Sequence, residues 1–169
     1  MSLEYIVDGY NVIHNRLFAQ VNNRASSPRL GLLECILCQR LTGSSRNRVT
    51  VVFDGYPQAG YADAEFPSII RVIFSEDKTA DERIAYIVEH ASNPKNMVVV
   101  SDDNEIRYFI KSLRAKSLSV EEFFTPFFKK ETRLSRLGAD EDKRNCTKHE
   151  LSFSQKRQIN QELKKLWLK

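Results

Sequence analysis

Short apolar runs that stop on an aspartate recur along this chain. Tyr5-Ile6-Val7 ends on Asp8-Gly9, Val49-Thr50-Val51-Val52-Phe53 ends on Asp54-Gly55, and Met97-Val98-Val99-Val100-Ser101 ends on Asp102. The runs are too short for helices and rich in β-branched residues, so they read as buried strands. Stretches with helical periodicity separate them. Such alternation folds as an α/β domain, a parallel sheet covered by helices on both faces. The carboxyl ends of parallel strands lie on one edge, which is where open α/β sheets bind ligands. Acids far apart in sequence must therefore meet along that edge, whatever the strand order.

Taken in order, residues 3–8 form the first strand, and Asn11-Val12-Ile13-His14 starts a loop or short helix. Residues 19–26 are a polar connection. Ser27 as N-cap and Pro28 at the first helical position open a helix. Leu30, Leu33, Leu37 and Leu41 make its stripe, Ile36 lies beside it, and Gly43 is its stop. A strand over 48–53 leads to a long loop over 56–68, and a third strand covers 69–74. Thr79-Ala80-Asp81-Glu82 has the spacing of a capping box, followed by a helix burying Ala80, Ile84, Ile87, Val88 and Ala91. After the fourth strand (97–101), Asp102 and Glu105 repeat that spacing before a helix with Ile106, Phe109, Ile110 and Leu113 inward. A short fifth strand over 117–119 and an aromatic-rich helix from Val120 to Phe128 complete a domain over residues 1–128. Residues 129–150 read as a charged linker, and 151–169 as a basic amphipathic helix with Trp167 on its apolar face.

Charge follows that division. Residues 1–128 carry 14 Lys/Arg against 16 Asp/Glu, whereas residues 129–169 carry 12 against 6. A near-neutral body with a basic tail suits a polyanionic partner, although a solvated tail has the same composition. No run approaches the roughly 18 apolar residues of a membrane span, and no basic-then-apolar leader opens the sequence. The expected location is the cytosol.

Asp81 and Asp103, at the starts of helices that follow strands, join Asp8, Asp54 and Asp102 on the same edge. Like charges gathered there repel and raise one another's pKa, and a divalent cation relieves the repulsion. Oxygen ligands without Cys or His suit Mg²⁺ or Mn²⁺. Such a site suits phosphodiester hydrolysis by metal-activated water, with Asn11 placed to orient a carboxylate or the water. Individually, Asp81 and Asp102 have a simpler explanation as helix-start acids, and Asp54-Gly55 as a turn. Their conjunction on one edge has none.

Tyr5-Ile6-Val7-Asp8-Gly9-Tyr10-Asn11-Val12-Ile13, Val51-Val52-Phe53-Asp54-Gly55, Thr79-Ala80-Asp81-Glu82 and Val100-Ser101-Asp102, in that order, resemble a NYN domain of the YacP-like type over about residues 3–128. The resemblance implies a PIN-like three-layer α/β/α fold with four to five strands. It also implies a metal-dependent endoribonuclease cleaving single-stranded RNA, with a link to mRNA turnover and to the ribosome. Carried over by position, Asp8, Asp81 and Asp102 are its metal-site acids, Asn11 and Asp54 further members, and Asp103 an adjacent one. It does not reach the segment after Phe128.

Other features weigh less. Arg107 and Lys111 share a helix face behind Asp102 and are candidates to touch RNA phosphates; so are Tyr10 and His14 beside the first turn. Tyr56, Tyr61 and Phe66 offer aromatic faces to unpaired bases, or fold their loop onto the core. Cys35-x₂-Cys38 with Cys146-x₂-His149 is a zinc inventory, but the first pair sits inside a helix, where cysteines behave as small core residues. Two other function classes stay open: a non-catalytic RNA- or ribosome-binding module, and a nucleotide-binding or phosphatase-type domain. The latter is disfavoured by the lack of phosphate-loop motifs.

Overall fold

The computed structural model describes residues 2–21, 27–57 and 68–137, the stretch 130–137 by its backbone alone. Five strands, β1 (Glu4–Asp8), β2 (Arg48–Phe53), β3 (Ile70–Phe74), β4 (Met97–Val100) and β5 (Lys116–Leu118), form one sheet in the order β3-β2-β1-β4-β5. Every neighbouring pair is parallel. The chain steps outward from β1 to β3, then returns to the other side of β1 for β4 and β5. The order therefore reverses between β1 and β4, and the crevice at their carboxyl ends is the sheet's topological switch point.

Side-chain alternation assigns the two faces. Val7, Val51 and Val100 face one core, which they share with α1 (Gly9–His14), α2 (Arg16–Val21), α3 (Pro28–Gln39) and the start of α6 (Val120–Leu137), through Val12, Phe18, Leu32, Ile36, Phe123 and Phe124. Ile6, Val52 and Val99 face the other, packed on α4 (Ala80–Glu89) and α5 (Asn104–Ser112) through Ile84, Val88, Ile106 and Ile110. Adjacent residues of one strand thus serve opposite layers, as the two-residue period requires. The three-layer α/β/α arrangement with a central parallel sheet is the expected one.

The chain divides into two units, residues 1–56 with 66–128, and residues 57–65 with 129–169. The first carries the sheet. Of the second, Pro57 and the helical stretch 129–137 are described.

Five local expectations need correction. The first helix is followed at once by α2, which takes up residues that look like polar connection because only Phe18 is fully buried on it. Of the expected stripe Leu30–Leu33–Leu37–Leu41, Leu33 and Leu41 are buried with the neighbouring Ile36, but helix α3 also buries Leu32 and Cys35 and leaves Leu30 and Leu37 only partly covered, so its inner face is shifted toward Leu32 and Cys35. It also ends early: Arg40, at φ 50°, makes the left-handed cap, and Gly43 turns the chain beyond it. The N-cap of α5 is Asp103, not Asp102. Finally, α6 runs past Phe128 to Leu137, with Pro126 inside it, so the stretch read as a linker begins as helix. The remainder of that stretch and the expected last helix around Trp167 lie outside the described residues.

The capping box of α4 forms as its spacing predicts. Thr79 Oγ1 accepts the Glu82 N–H at 3.1 Å, and Glu82 Oε2 accepts the Thr79 N–H at 3.1 Å. Thr79→Ala removes one half of this pair and should cost about 1 kcal/mol, a fall of roughly 2–4 °C in thermal unfolding followed by circular dichroism.

Candidate active site

Asp8 ends β1 and caps α1, its Oδ1 accepting the Asn11 N–H at 3.0 Å. Only 6% of it is exposed. Burial first, then the charges of Asp81 and Asp54, push its carboxyl up to about 6, against the opposing pull of the Asn11 and Tyr10 N–H groups.

Gly9 has its own reason to be there. A Cβ at that position would stand 2.2 Å from Cε1 of Phe53. The Phe53 ring is fully buried, edge-on to Tyr10 at 5.6 Å and beside Phe74 at 5.9 Å. The Arg29 guanidinium lies over all three rings. Close approach of the α1 backbone to Phe53 thus sets Asp8 against Asp54, the residue after Phe53.

Asp54 reaches across to α4, where its Oδ1 accepts the Ala80 N–H at 2.6 Å. Gly55, at φ 80°, turns the chain, and its N–H donates to Ser75 Oγ at 3.1 Å. Asp81 follows Ala80 directly. Burial raises its carboxyl, and the charges of Asp103, Asp54 and Glu105 raise it further. Asp103 uses one oxygen to cap α5, accepting Glu105 N–H at 2.7 Å and Ile106 N–H at 3.3 Å.

Asp102 stands on the same edge but is engaged differently. Its Oδ1 accepts the Val120 N–H at 2.8 Å, its Oδ2 accepts from Asn15 Nδ2 at 2.8 Å, and its own N–H donates to Asn11 Oδ1 at 2.9 Å.

The structure therefore joins Asp8, Asp54 and Asp81 electrostatically, and Asp81 in turn to Asp103 and Glu105. Among the described residues, no three His, Cys, Asp or Glu side chains are grouped so as to hold a metal ion by themselves. That is compatible with Mg²⁺, which keeps several waters and binds through one or two carboxylates plus substrate phosphates. The hard, all-oxygen donor set, with two carboxyls raised by burial and by neighbouring carboxylates, fits Mg²⁺ or Mn²⁺ in kind.

The candidate RNA contacts divide. His14 is exposed, its ring 5.8 Å from that of Tyr10. Tyr10 is half-buried against the core, and its hydroxyl accepts from Arg29 Nε at 3.1 Å and from Arg29 Nη2. Arg107 turns toward α6, its Nη2 3.9 Å from Glu122 Oε2. Glu122 is lowered chiefly by its bond from the Ser119 N–H, and less by Arg107 and Lys111, so both cations lie near one acid. The Tyr56 hydroxyl bonds Asp77. Tyr61 and Phe66 lie outside the described residues, as do Cys146 and His149. Cys35 is buried on α3, and burial pushes its thiol up to about 12, which suits a core residue better than a zinc ligand.

Several contributors escape sequence reasoning. Asn15, which holds Asp102, looks like an ordinary helix-breaking residue. Glu105 reads as a cap, yet its charge reaches Asp81. Tyr86 and Tyr108 are 46% and 73% exposed on the outer faces of α4 and α5. Tyr86 stacks on His90 at 4.0 Å with Lys78 and Arg83 nearby, and Lys111 lies 6.0 Å from the Tyr108 ring centre. An aromatic three or four residues from a cation on a helix's polar side was the available signal.

No curated protein matches the chain. Solved structures do. The crystal structure of Rae1 (YacP) from Bacillus subtilis is 23% identical, aligned over 99% of this chain and 92% of that one, with a TM-score of 0.61. The structure of a tryptophan-to-leucine mutant of that protein aligns over 96% of this chain and 92% of its own, at 26% identity and a TM-score of 0.58. The architecture is that PIN-like fold, and among the described residues no helix is long and apolar enough to cross a membrane. The family model for the YacP-like NYN domain matches residues 5–167, and so takes in most of the segment that the motifs alone left aside. Fold and family together support a ribonuclease-like role, and the chain belongs to the YacP-like NYN domain family.

Proposed function

We propose that this chain is a metal-dependent endoribonuclease that hydrolyses single-stranded RNA at the carboxyl edge of its sheet, with Asp8 and Asp81 as the principal acids and Asp54 and Asp103 beside them. One observation carries the reading: a carboxyl at the switch point is pushed up to about 6, first by burial and further by the charges of Asp81 and Asp54. Nothing in the stability of the fold calls for that repulsion, whereas a divalent cation turns it into binding energy. When bound, Mg²⁺ or Mn²⁺ would make a water more acidic and offset charge on the attacked phosphate.

The chain's own residues do the rest. Asp8 is held by the Asn11 N–H, and Asp54 fixes the first turn of α4 and with it Asp81. Asn11 Oδ1 is occupied by the Asp102 N–H, which leaves the amide Nδ2 as the donor available to a phosphate or carboxylate oxygen. The exposed Tyr86 and Tyr108, with their neighbouring cations, suit stacking against unpaired bases. Messenger RNA as the substrate and the ribosome as the setting extend the proposal on family resemblance.

The test is cleavage of end-labelled single-stranded RNA, free and on translating ribosomes. Mn²⁺ or Mg²⁺ should support discrete internal cuts, chelator should stop them, and Asp81→Asn should remove them. If wild type and Asp81→Asn are equally inert on both substrates, the chain is instead an RNA- or ribosome-binding module.

A further inference from the structure

Asp102 directly follows a buried β4–Ser101 segment and occupies the motif position of a site acid, yet its contacts are those of a fastener. Both carboxylate oxygens accept from donors fixed on other elements: the Asn15 side chain, between α1 and α2, and the Val120 N–H, at the first residue of α6. Asn15 is itself anchored, its Oδ1 accepting the Leu17 N–H at 2.9 Å. The start of α6 is closed by a second capping box, Ser119 with Glu122, and Asp102 adds an acceptor for one more of that helix's first N–H groups. Through its own N–H, Asp102 holds the Asn11 side chain, and the Asn11 backbone N–H holds Asp8. Asp103 and Glu105 are among the charges that raise Asp81, and Asp102 is not among those acting on Asp81 or Asp8.

We infer that Asp102 is a positioning residue, a clasp joining Asn11, Asn15 and the start of α6 that sets the orientation of Asp8, and that the metal is left to Asp8, Asp81 and the acids beside them. The inference rests on the metal-site reading of this edge. An amide at position 102 has one acceptor oxygen, so its NH₂ would face either Asn15 Nδ2 or the Val120 N–H, donor to donor. Asp102→Asn therefore loses half the clasp while keeping its size.

The measurement compares wild type, Asp102→Asn, Asn15→Ala, their double variant and Asp81→Asn, by Mn²⁺ calorimetry, amide exchange at Val120 and cleavage kinetics. Asp102→Asn should keep Mn²⁺ affinity within about threefold, whereas Asp81→Asn loses tenfold or more. Asn15→Ala, which keeps the carboxylate, should reproduce the Asp102→Asn phenotype: faster Val120 exchange, and kcat lower by about tenfold to a hundredfold at unchanged RNA KM. The double variant should add little to either single one. Loss of Mn²⁺ affinity in Asp102→Asn equal to that in Asp81→Asn, with Asn15→Ala normal, overturns the inference and makes Asp102 a ligand. If wild type binds no Mn²⁺, the metal reading fails on its own. The clasp is then decided by exchange alone, and undiminished Val120 protection in Asp102→Asn and Asn15→Ala defeats it. Should Asp102→Asn fail to fold, Asn15→Ala still decides between the two roles.

Discussion

Asp8→Asn is expected to abolish cleavage and, without metal, to make the protein more stable. The sign follows from the direction of the shift. A carboxyl at about 6 in the fold, against an ordinary 3.8, binds its proton more tightly folded than unfolded. Its contribution to stability is whole below about pH 4 and is lost as pH rises through about 6. At neutral pH the ionised group then costs the fold of the order of 2–3 kcal/mol. Asparagine keeps the oxygen that accepts the Asn11 N–H and carries no charge. In chelator at pH 7.5 the variant should therefore melt roughly 5–10 °C above wild type, and the difference should vanish near pH 4. Saturating Mn²⁺ should reverse the order, because the ion binds folded wild type preferentially. RNA cleavage by the variant should fall more than about a hundredfold. A variant no more stable than wild type across this range would show that Asp8 carries no such burden. Deprotonation must accompany metal binding, so wild-type Mn²⁺ affinity should rise steeply between about pH 5 and 7.

Gly9→Ala should be the most damaging single-atom change in the site. The added methyl would meet the Phe53 ring at 2.2 and 2.4 Å. That ring is enclosed by Tyr10, Phe74 and the Arg29 guanidinium, with none of its surface exposed. Overpacking of this kind costs about 1–3 kcal/mol, more where no neighbour can yield, and we expect the upper end by urea denaturation. Moving Phe53 also drags Asp54, so activity should fall beyond what the unfolded fraction explains. Phe53→Leu in the Gly9→Ala background should recover part of the stability, with favourable coupling in the double-mutant cycle. If Gly9→Ala alone is neutral, the Asp8–Asp54 spacing is not set by this contact.

Strands β1 to β4 were legible because each is a short, mostly apolar run bounded by polar or turn residues, and β2 and β4 are buried almost throughout. The edge on which the acids meet follows from parallel topology, which alternation of elements implies before any contact is known. Helix faces were less legible. Helix α3 is apolar on more than one side, so periodicity does not single out Leu32 and Ile36 over Leu30 and Leu37. Division of labour among the acids was hidden altogether. Asp102 and Asp103 are neighbours of the same type in an N-cap context, and only the hydrogen bonds from Asn15 and Val120 separate a tether from a site acid. The Tyr10–Arg29 bond is likewise invisible, since it joins the first turn to a helix that begins beyond an intervening segment.

The central place of β1 has a kinetic consequence. This strand is made before the strands it pairs with: β2 follows some forty residues later, and β4 some ninety later. Pairings at such sequence separation form slowly and late, because loop closure must precede the contacts that reward it. A growing chain that has emerged only as far as β3 holds Asp8 and Asp54 but lacks Asp81, Asp103 and β4, the strand on the other side of β1. On the proposed assignment, catalytic competence is therefore the last property the chain acquires, and its onset during refolding would time the completion of the sheet itself.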